Sequence, residues 1–188
     1  GGFTQLACAP RAHIGRFRVD GTLDPTVTNG ADTTAYAVAV QPDKNLLVGG
    51  AFTNLAGQAR NRLGRLYPDG ALDAAFTNGA DSDVYAVAIQ PDDRLLLGGM
   101  FTNLANAPHT GIGRLFPDSV ADPVFTNHAL TNLYAFAVQS NGQILVGGAF
   151  TNLAGQPRQR LGRFHPDGSL DLTFTNGVSG YVNCFAIQ

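Results

Sequence analysis

The chain has 188 residues, 44% of them hydrophobic and 14% charged, with a formal net charge of −2. That balance predicts a globular domain with its own core rather than a disordered chain, and it leaves no basic patch for a phosphate backbone, so nucleic acid is not an expected partner. No apolar run approaches the ~20 residues that a bilayer-spanning helix needs, and no membrane insertion is expected.

The types of residue present narrow the fold further. All 14 acids are Asp, Glu and Trp are absent, and Met100 and Lys44 are each the only one of their kind. Strong helix formers are therefore scarce, and 23 Gly and 10 Pro spread along the chain interrupt any stretch where a helix of three turns could fit. Essentially no helix is expected.

Gly1-Gly2-Phe3-Thr4 at the amino end returns as Gly50–Thr53, Gly99–Thr102 and Gly148–Thr151, a repeat of 49 residues without insertion or deletion. The repeat divides a single domain into units 1–49, 50–98, 99–147 and 148–188. Within a unit, Tyr85–Gln90 alternates large and small apolar residues, as do Tyr36–Gln41 and Tyr134–Gln139. A strand apolar on both faces is sandwiched between neighbours, and its Ala row lets the next sheet approach closely. Pro91-Asp92-Asp93-Arg94 reads as a turn into a second strand, Leu95–Phe101, whose Gly98-Gly99 pair marks a bulge or a close backbone approach. A polar loop follows. Leu63–Tyr67 then represents a third strand, and Pro68-Asp69-Gly70 turns the chain into a short fourth strand, Leu72–Thr77. The expected fold class is all-β: a β-propeller built from 49-residue four-stranded antiparallel blades, with a stacked solenoid, a sandwich or a barrel as alternatives.

The runs Tyr36–Phe52 and Leu63–Phe76 make the whole chain similar to the bacterial delta-60-type repeat. That resemblance implies a propeller-forming segment of a large, repetitive bacterial protein, extracellular or in the cell envelope. It implies no catalytic residues, because its shared positions are the structural ones.

Two polar columns run through all copies: Arg16, Arg65, Arg114 and Arg163, and, eight residues later, Asp24, Asp73, Asp122 and Asp171. A ring of arginines could bind anions or glycans through the planar guanidinium fork. An Arg/Asp pair inside each unit is the simpler reading and explains why neither column varies. A further Asp column, Asp20, Asp69, Asp118 and Asp167, falls at turns, where Asp accepts local backbone N–H groups. Calcium loops need more oxygens at tighter spacing than two Asp four apart provide, so no metal site is read here. His13, His109, His128 and His165 occupy four different columns and are read as surface substitutions. No serine lies in a nucleophile elbow. No cofactor and no enzymatic activity are expected. Variation gathers where Arg60-Asn61-Arg62 becomes His109-Thr110-Gly111 and Arg158-Gln159-Arg160, the candidate binding loops.

The function read from the sequence is a scaffold or adhesion surface, the alternative being a lectin-like glycan binder. Against the latter stand the absence of Trp and the placement of Tyr36, Tyr85 and Tyr134 on an inner strand. Expected partners are other copies or flanking repeats, with glycans or another surface protein as further candidates. Three periods and 41 residues leave the last unit without the equivalent of Ser140–Gly147, so the chain is expected to associate rather than close its own ring. Cys8 and Cys184 map to distant places in the unit and are not expected to be bonded to each other.

Overall fold

A computed structural model describes residues 1–125 and 132–187. Seventeen strands and no helix are found among the described residues. In chain order they are a small hairpin, β1 (Gln5–Leu6) and β2 (Ala9–Pro10), followed by three copies of one pattern. The first copy consists of β3 (Ala35–Val40), β4 (Leu46–Gly50), β5 (Asn54–Leu55), β6 (Gln58–Ala59) and β7 (Leu63–Leu66). The second comprises β8 (Val84–Ile89), β9 (Leu95–Gly99), β10 (Asn103–Leu104), β11 (Ala107–Pro108) and β12 (Ile112–Leu115). The third comprises β13 (Leu133–Val138), β14 (Ile144–Gly148), β15 (Asn152–Leu153), β16 (Gln156–Pro157) and β17 (Leu161–Phe164).

Each copy builds an antiparallel three-stranded sheet with its second strand in the middle, in the orders β3-β4-β7, β8-β9-β12 and β13-β14-β17. The short strands pair as separate hairpins inside what reads from sequence as a polar loop. The fourth strand is reduced to a single bridge, Leu66↔Leu72 and its equivalents Leu115↔Ala121 and Phe164↔Leu170. The reason is local. One residue past the bridge, the Asp73 carboxylate takes the Ala75 N–H at 3.0 Å, and this turn carries the chain out of the ladder.

The glycine pair sets how closely the sheets approach. Val84 lies opposite Gly99 and Ala86 opposite Gly98, with a register shift between them. A Cβ on Gly99 would sit 2.0 Å from the Asp83 carbonyl oxygen, and one on Gly98 would sit 2.4 Å from Leu133 Cδ2 of the next unit. Large residues of one first strand thus pack on the bare backbone of the preceding second strand, as Val84 and Val87 do on Gly49. Val84, Leu95, Leu97, Phe101 and Leu104 of the second copy share a core with Leu47, Leu63 and Phe76 of the first. Leu96 joins Leu133, Val146 and Phe150 of the third. Each buried Phe or Leu contributes roughly 1.5–3 kcal/mol, and the clusters they form run across units rather than staying within one.

Candidate functional site

The structure joins the two polar columns. Nε of Arg16, Arg65, Arg114 and Arg163 donates to the carboxylates of Asp24, Asp73, Asp122 and Asp171 at 3.0, 2.7, 2.8 and 2.8 Å. Each Arg leaves the third strand, or its equivalent, and meets the Asp just past the bridge, so the eight-residue spacing is the length of that turn. Three guanidinium planes also lie over the Phe three residues beyond the Asp: Arg65 on Phe76, Arg114 on Phe125 and Arg163 on Phe174, all within 4.8 Å.

The same arginines reach across to the next unit. Nη1 of Arg65 donates to the Pro117 carbonyl at 2.7 Å, Nη1 of Arg114 to Pro166 at 2.8 Å, and Arg16 makes the equivalent bond to Pro68. Asn29 and Asn78 add a second tie, from their Nδ2 groups to the carbonyls of Gly70 and Ser119 at 3.0 Å. The Arg columns are therefore staples between units and present no open anion-binding ring.

The aspartates at turns have local partners. Asp20, Asp69, Asp118 and Asp167 each accept the N–H two residues on, at 2.8–3.1 Å. The Thr26 backbone and hydroxyl groups, with Arg16, hold the Asp24 carboxyl at about 2. For Asp32 burial is the largest influence and pushes upward. Donors on Thr53 and Asn54 outweigh it and hold that carboxyl at about 2 as well. Among the described residues no cluster of three or more His, Cys or Asp side chains could hold a metal ion.

Three of the candidate loop residues need correction. Arg60, His109 and Arg158 are buried, as is Arg11 in the same column. Arg60 Nη1 and Nη2 donate to the carbonyls of Ala59 and Asp73, and Arg158 bonds those of Pro157 and Asp171 in the same way. They tie the small hairpin to the end of the third-strand turn. His109 is likewise no surface substitution, His13 and His165 are partly buried, and His128 lies outside the described residues. Asn61 and Gln159 stay exposed, while Arg62, Thr110 and Arg160 are half-buried. Arg62 sits 3.9 Å from Asp83, and Arg160 lies over Tyr181 at 5.7 Å. Cys8 and Cys184 are free and exposed.

Two features escaped sequence reasoning. Tyr36, Tyr85 and Tyr134 form a row of rings, edge-to-face in the first pair and tilted in the second, with centroids 5.1 and 5.6 Å apart, and Tyr181, which is out of the repeat column, extends it at 6.4 Å. Tyr36 and Tyr181 are exposed, so an inner-strand tyrosine is not a buried one here. At the opposite end of the first strands, Gln41, Gln90 and Gln139 help line a cavity of about 450 Å³ that spans three units. A smaller, polar cavity of about 230 Å³ opens where the first and second copies meet, lined by Asn61, Asn78, Asp81, Asn103 and Asn106.

No curated protein matches the chain. Among solved structures it is similar to PorZ, described as an essential bacterial surface component of the type-IX secretion system of Porphyromonas gingivalis. The identity is 12% and the TM-score 0.41, over 78% of this chain and 21% of that one. This chain thus spans about a fifth of the length of that neighbour. Residues 41–76, 90–125 and 139–174 match a family described as a domain of unknown function (DUF5122) beta-propeller. The matched segments begin at the 49-residue period of the sequence and take in more than half of it, and the chain belongs to this β-propeller repeat family.

Proposed function

We propose that the chain is a non-enzymatic β-propeller scaffold of the delta-60 type, part of a bacterial extracellular or cell-surface protein, whose repeats associate with further repeats. The observation that carries this reading is the engagement of the repeated Arg column and its paired Asp column in packing, while the third Asp column caps local turns. The Arg/Asp pairs close each unit and the arginines reach the next one, so these repeated charges are spent on packing rather than gathered at a cleft. Surface placement follows from the resemblance of the repeat itself.

The partner is another copy or a flanking repeat. In the second copy Val87 and Ile89 are packed against the core shared with the first copy, whereas their equivalents Val38 and Val40 are 51% and 64% exposed. A face that two units bury and a third leaves open is the surface a further repeat covers. Light scattering over a dilution series tests this: dissociable species above 19.7 kDa are expected. A monodisperse 19.7 kDa particle at every concentration would overturn the association.

Glycan binding is the second reading, and the tyrosine row, exposed at Tyr36 and Tyr181, favours it, since aromatic rings with a polar tip are what sugars stack on.

A further inference from the structure

The junction between the first and second copies carries a polar cavity of about 230 Å³. Its lining residues are Asn61 from the first copy, the linker Thr77–Asp81, and Asn103 and Asn106 from the second. The sequence contains its own control for this place. At the preceding junction the equivalent positions are Ala12, Thr28, Asn29, Gly30, Ala31, Asp32, Asn54 and Gly57. Six of the eight are the same residues; only Asn61 and Asn106 are new, replacing Ala12 and Gly57.

The backbone of the two junctions is also the same. Ala80 N donates to Asn61 O at 3.0 Å as Ala31 N does to Ala12 O at 2.9 Å, and Ala105 N bonds Gly79 O as Ala56 N bonds Gly30 O. The two carboxamides are thus added to a finished frame. Asn106 holds its place at φ 62, in the left-handed region where Gly57 stands at φ 76 and Gly155 at φ 78. Cys8 occupies the same column at φ 60, and Asn is among the residues that adopt this region most readily, so the turn admits a carboxamide at small backbone cost.

Much of the donor and acceptor capacity in the rest of the lining is already used. Asp81 accepts from the Thr102 and Asn103 backbone N–H groups, from Thr102 Oγ1 and from Asn103 Nδ2, at 2.6–3.1 Å. Asn78 Nδ2 is bound to Ser119. These fix the walls, and the Asn61 and Asn106 carboxamides add hydrogen-bonding capacity from the first and second copies that the preceding junction lacks. Each carboxamide offers two donors and an acceptor, which suits a ligand bearing adjacent hydroxyls. The Asp81 carboxylate beside them disfavours anions. The volume lies below the roughly 300–1,000 Å³ of sites for drug-sized ligands, so the occupant is one small ring.

We infer that this junction is a binding site for a single pyranose unit of a neutral glycan, held between Asn61 and Asn106. The inference rests on the glycan-binding reading and assigns its position. Titration of the ¹⁵N-labelled chain with the methyl glycosides of glucose, galactose, mannose and N-acetylglucosamine tests it. At least one sugar is expected to shift the Asn61 and Asn106 side-chain amide signals saturably, with a Kd on the order of 1 mM. The double variant Asn61→Ala/Asn106→Gly, which rebuilds the preceding junction and so keeps a frame the chain already folds, should bind at least ~10-fold more weakly. The reverse variant, Ala12→Asn/Gly57→Asn, should add a second site. Binding that persists in the double variant, or shifts confined to the tyrosine row, would overturn the site and leave the glycan reading standing. Failure of every sugar to bind would remove both.

Discussion

Removing the four column arginines one at a time should produce a graded loss of stability, because the same pair sits at four different depths. Arg114 is 2% exposed and its partner Asp122 also 2%, whereas the exposures of Arg65, Arg163 and Arg16 are 14%, 24% and 36%. Arg114 additionally donates to Gln90 Oε1, Pro166 O and Asp167 O, at 3.3, 2.8 and 3.1 Å. Arg114→Ala would strip donors from a buried carboxylate and three further acceptors. Breaking a buried pair in this way costs about 3–5 kcal/mol. Arg94 Nε, 3.6 Å from Asp122, and the Val124 N–H, 3.0 Å away, keep the loss toward the lower end. An exposed pair is worth ~0–1 kcal/mol, so Arg16→Ala should cost about 1 kcal/mol once its bond to Pro68 is included. Urea unfolding followed by tyrosine fluorescence and far-ultraviolet circular dichroism reads the series directly. Four equal losses, or a loss below ~1 kcal/mol for Arg114→Ala, would refute the reading of these columns as buried staples.

Further perturbations separate the other forces. Asp24 and Asp32 are held at about 2, below the roughly 3.9 of an unfolded Asp, so the stability they contribute is present above pH ~4 and lost as pH falls toward ~2. The urea midpoint should drop over that window and drop less in Thr26→Val/Thr53→Val; a midpoint flat from pH 5 to 2 would contradict it. Gly99→Ala meets the Asp83 carbonyl at 2.0 Å and should cost ~2–3 kcal/mol or more, since backbone cannot step aside. Gly57→Ala, with open space around it but φ 76, should cost only ~1–2 kcal/mol, and the reverse order in thermal melts would refute the close-approach account. Phe101→Ala, in the core shared by two copies, should cost ~3–5 kcal/mol.

How much of this was legible depended on length and repetition. The long strands were: the alternation at Tyr85–Gln90 fell within a residue of β8, and Leu63–Tyr67 within a residue of β7. The Gly98-Gly99 pair carried its own physical reason. The two-residue hairpins were not legible, because Asn54–Leu55 and Gln58–Ala59 are too short to show a period and turn through Ala56 at φ 52. A fourth strand was expected because Leu72–Thr77 has strand-like composition. Its hydrogen bonding is diverted at Asp73, and side-chain capture of backbone groups leaves no periodic trace. Burial of Arg60 was hidden by its variable neighbours. A partial signal was present: three of the four copies carry Arg at this column, Arg11, Arg60 and Arg158, with His109 in the fourth, and recurrence inside a varying loop points to an internal bond rather than to a ligand.

The placement of the polar residues follows from the weakness of a single unit. A three-stranded sheet with one bridge beside it cannot bury both of its faces, so each copy depends on the next, through glycines that admit Val84 or Leu133 and through arginines that reach the next proline carbonyl. Every junction must then satisfy the same geometry, and residues that touch it cannot drift. Positions lining a junction without joining it are free of that demand. Asn61 and Asn106 stand at such positions for their side chains: the Asn61 carbonyl keeps the frame bond that Ala12 makes at the preceding junction, and both residues line the cavity with carboxamides that Ala12 and Gly57 lack. Two substitutions can therefore give one junction a chemistry that its neighbour lacks, with the packing of both unchanged. In a repeat protein, a functional site is accordingly sought where a column departs from the others at constant backbone, rather than where every column agrees.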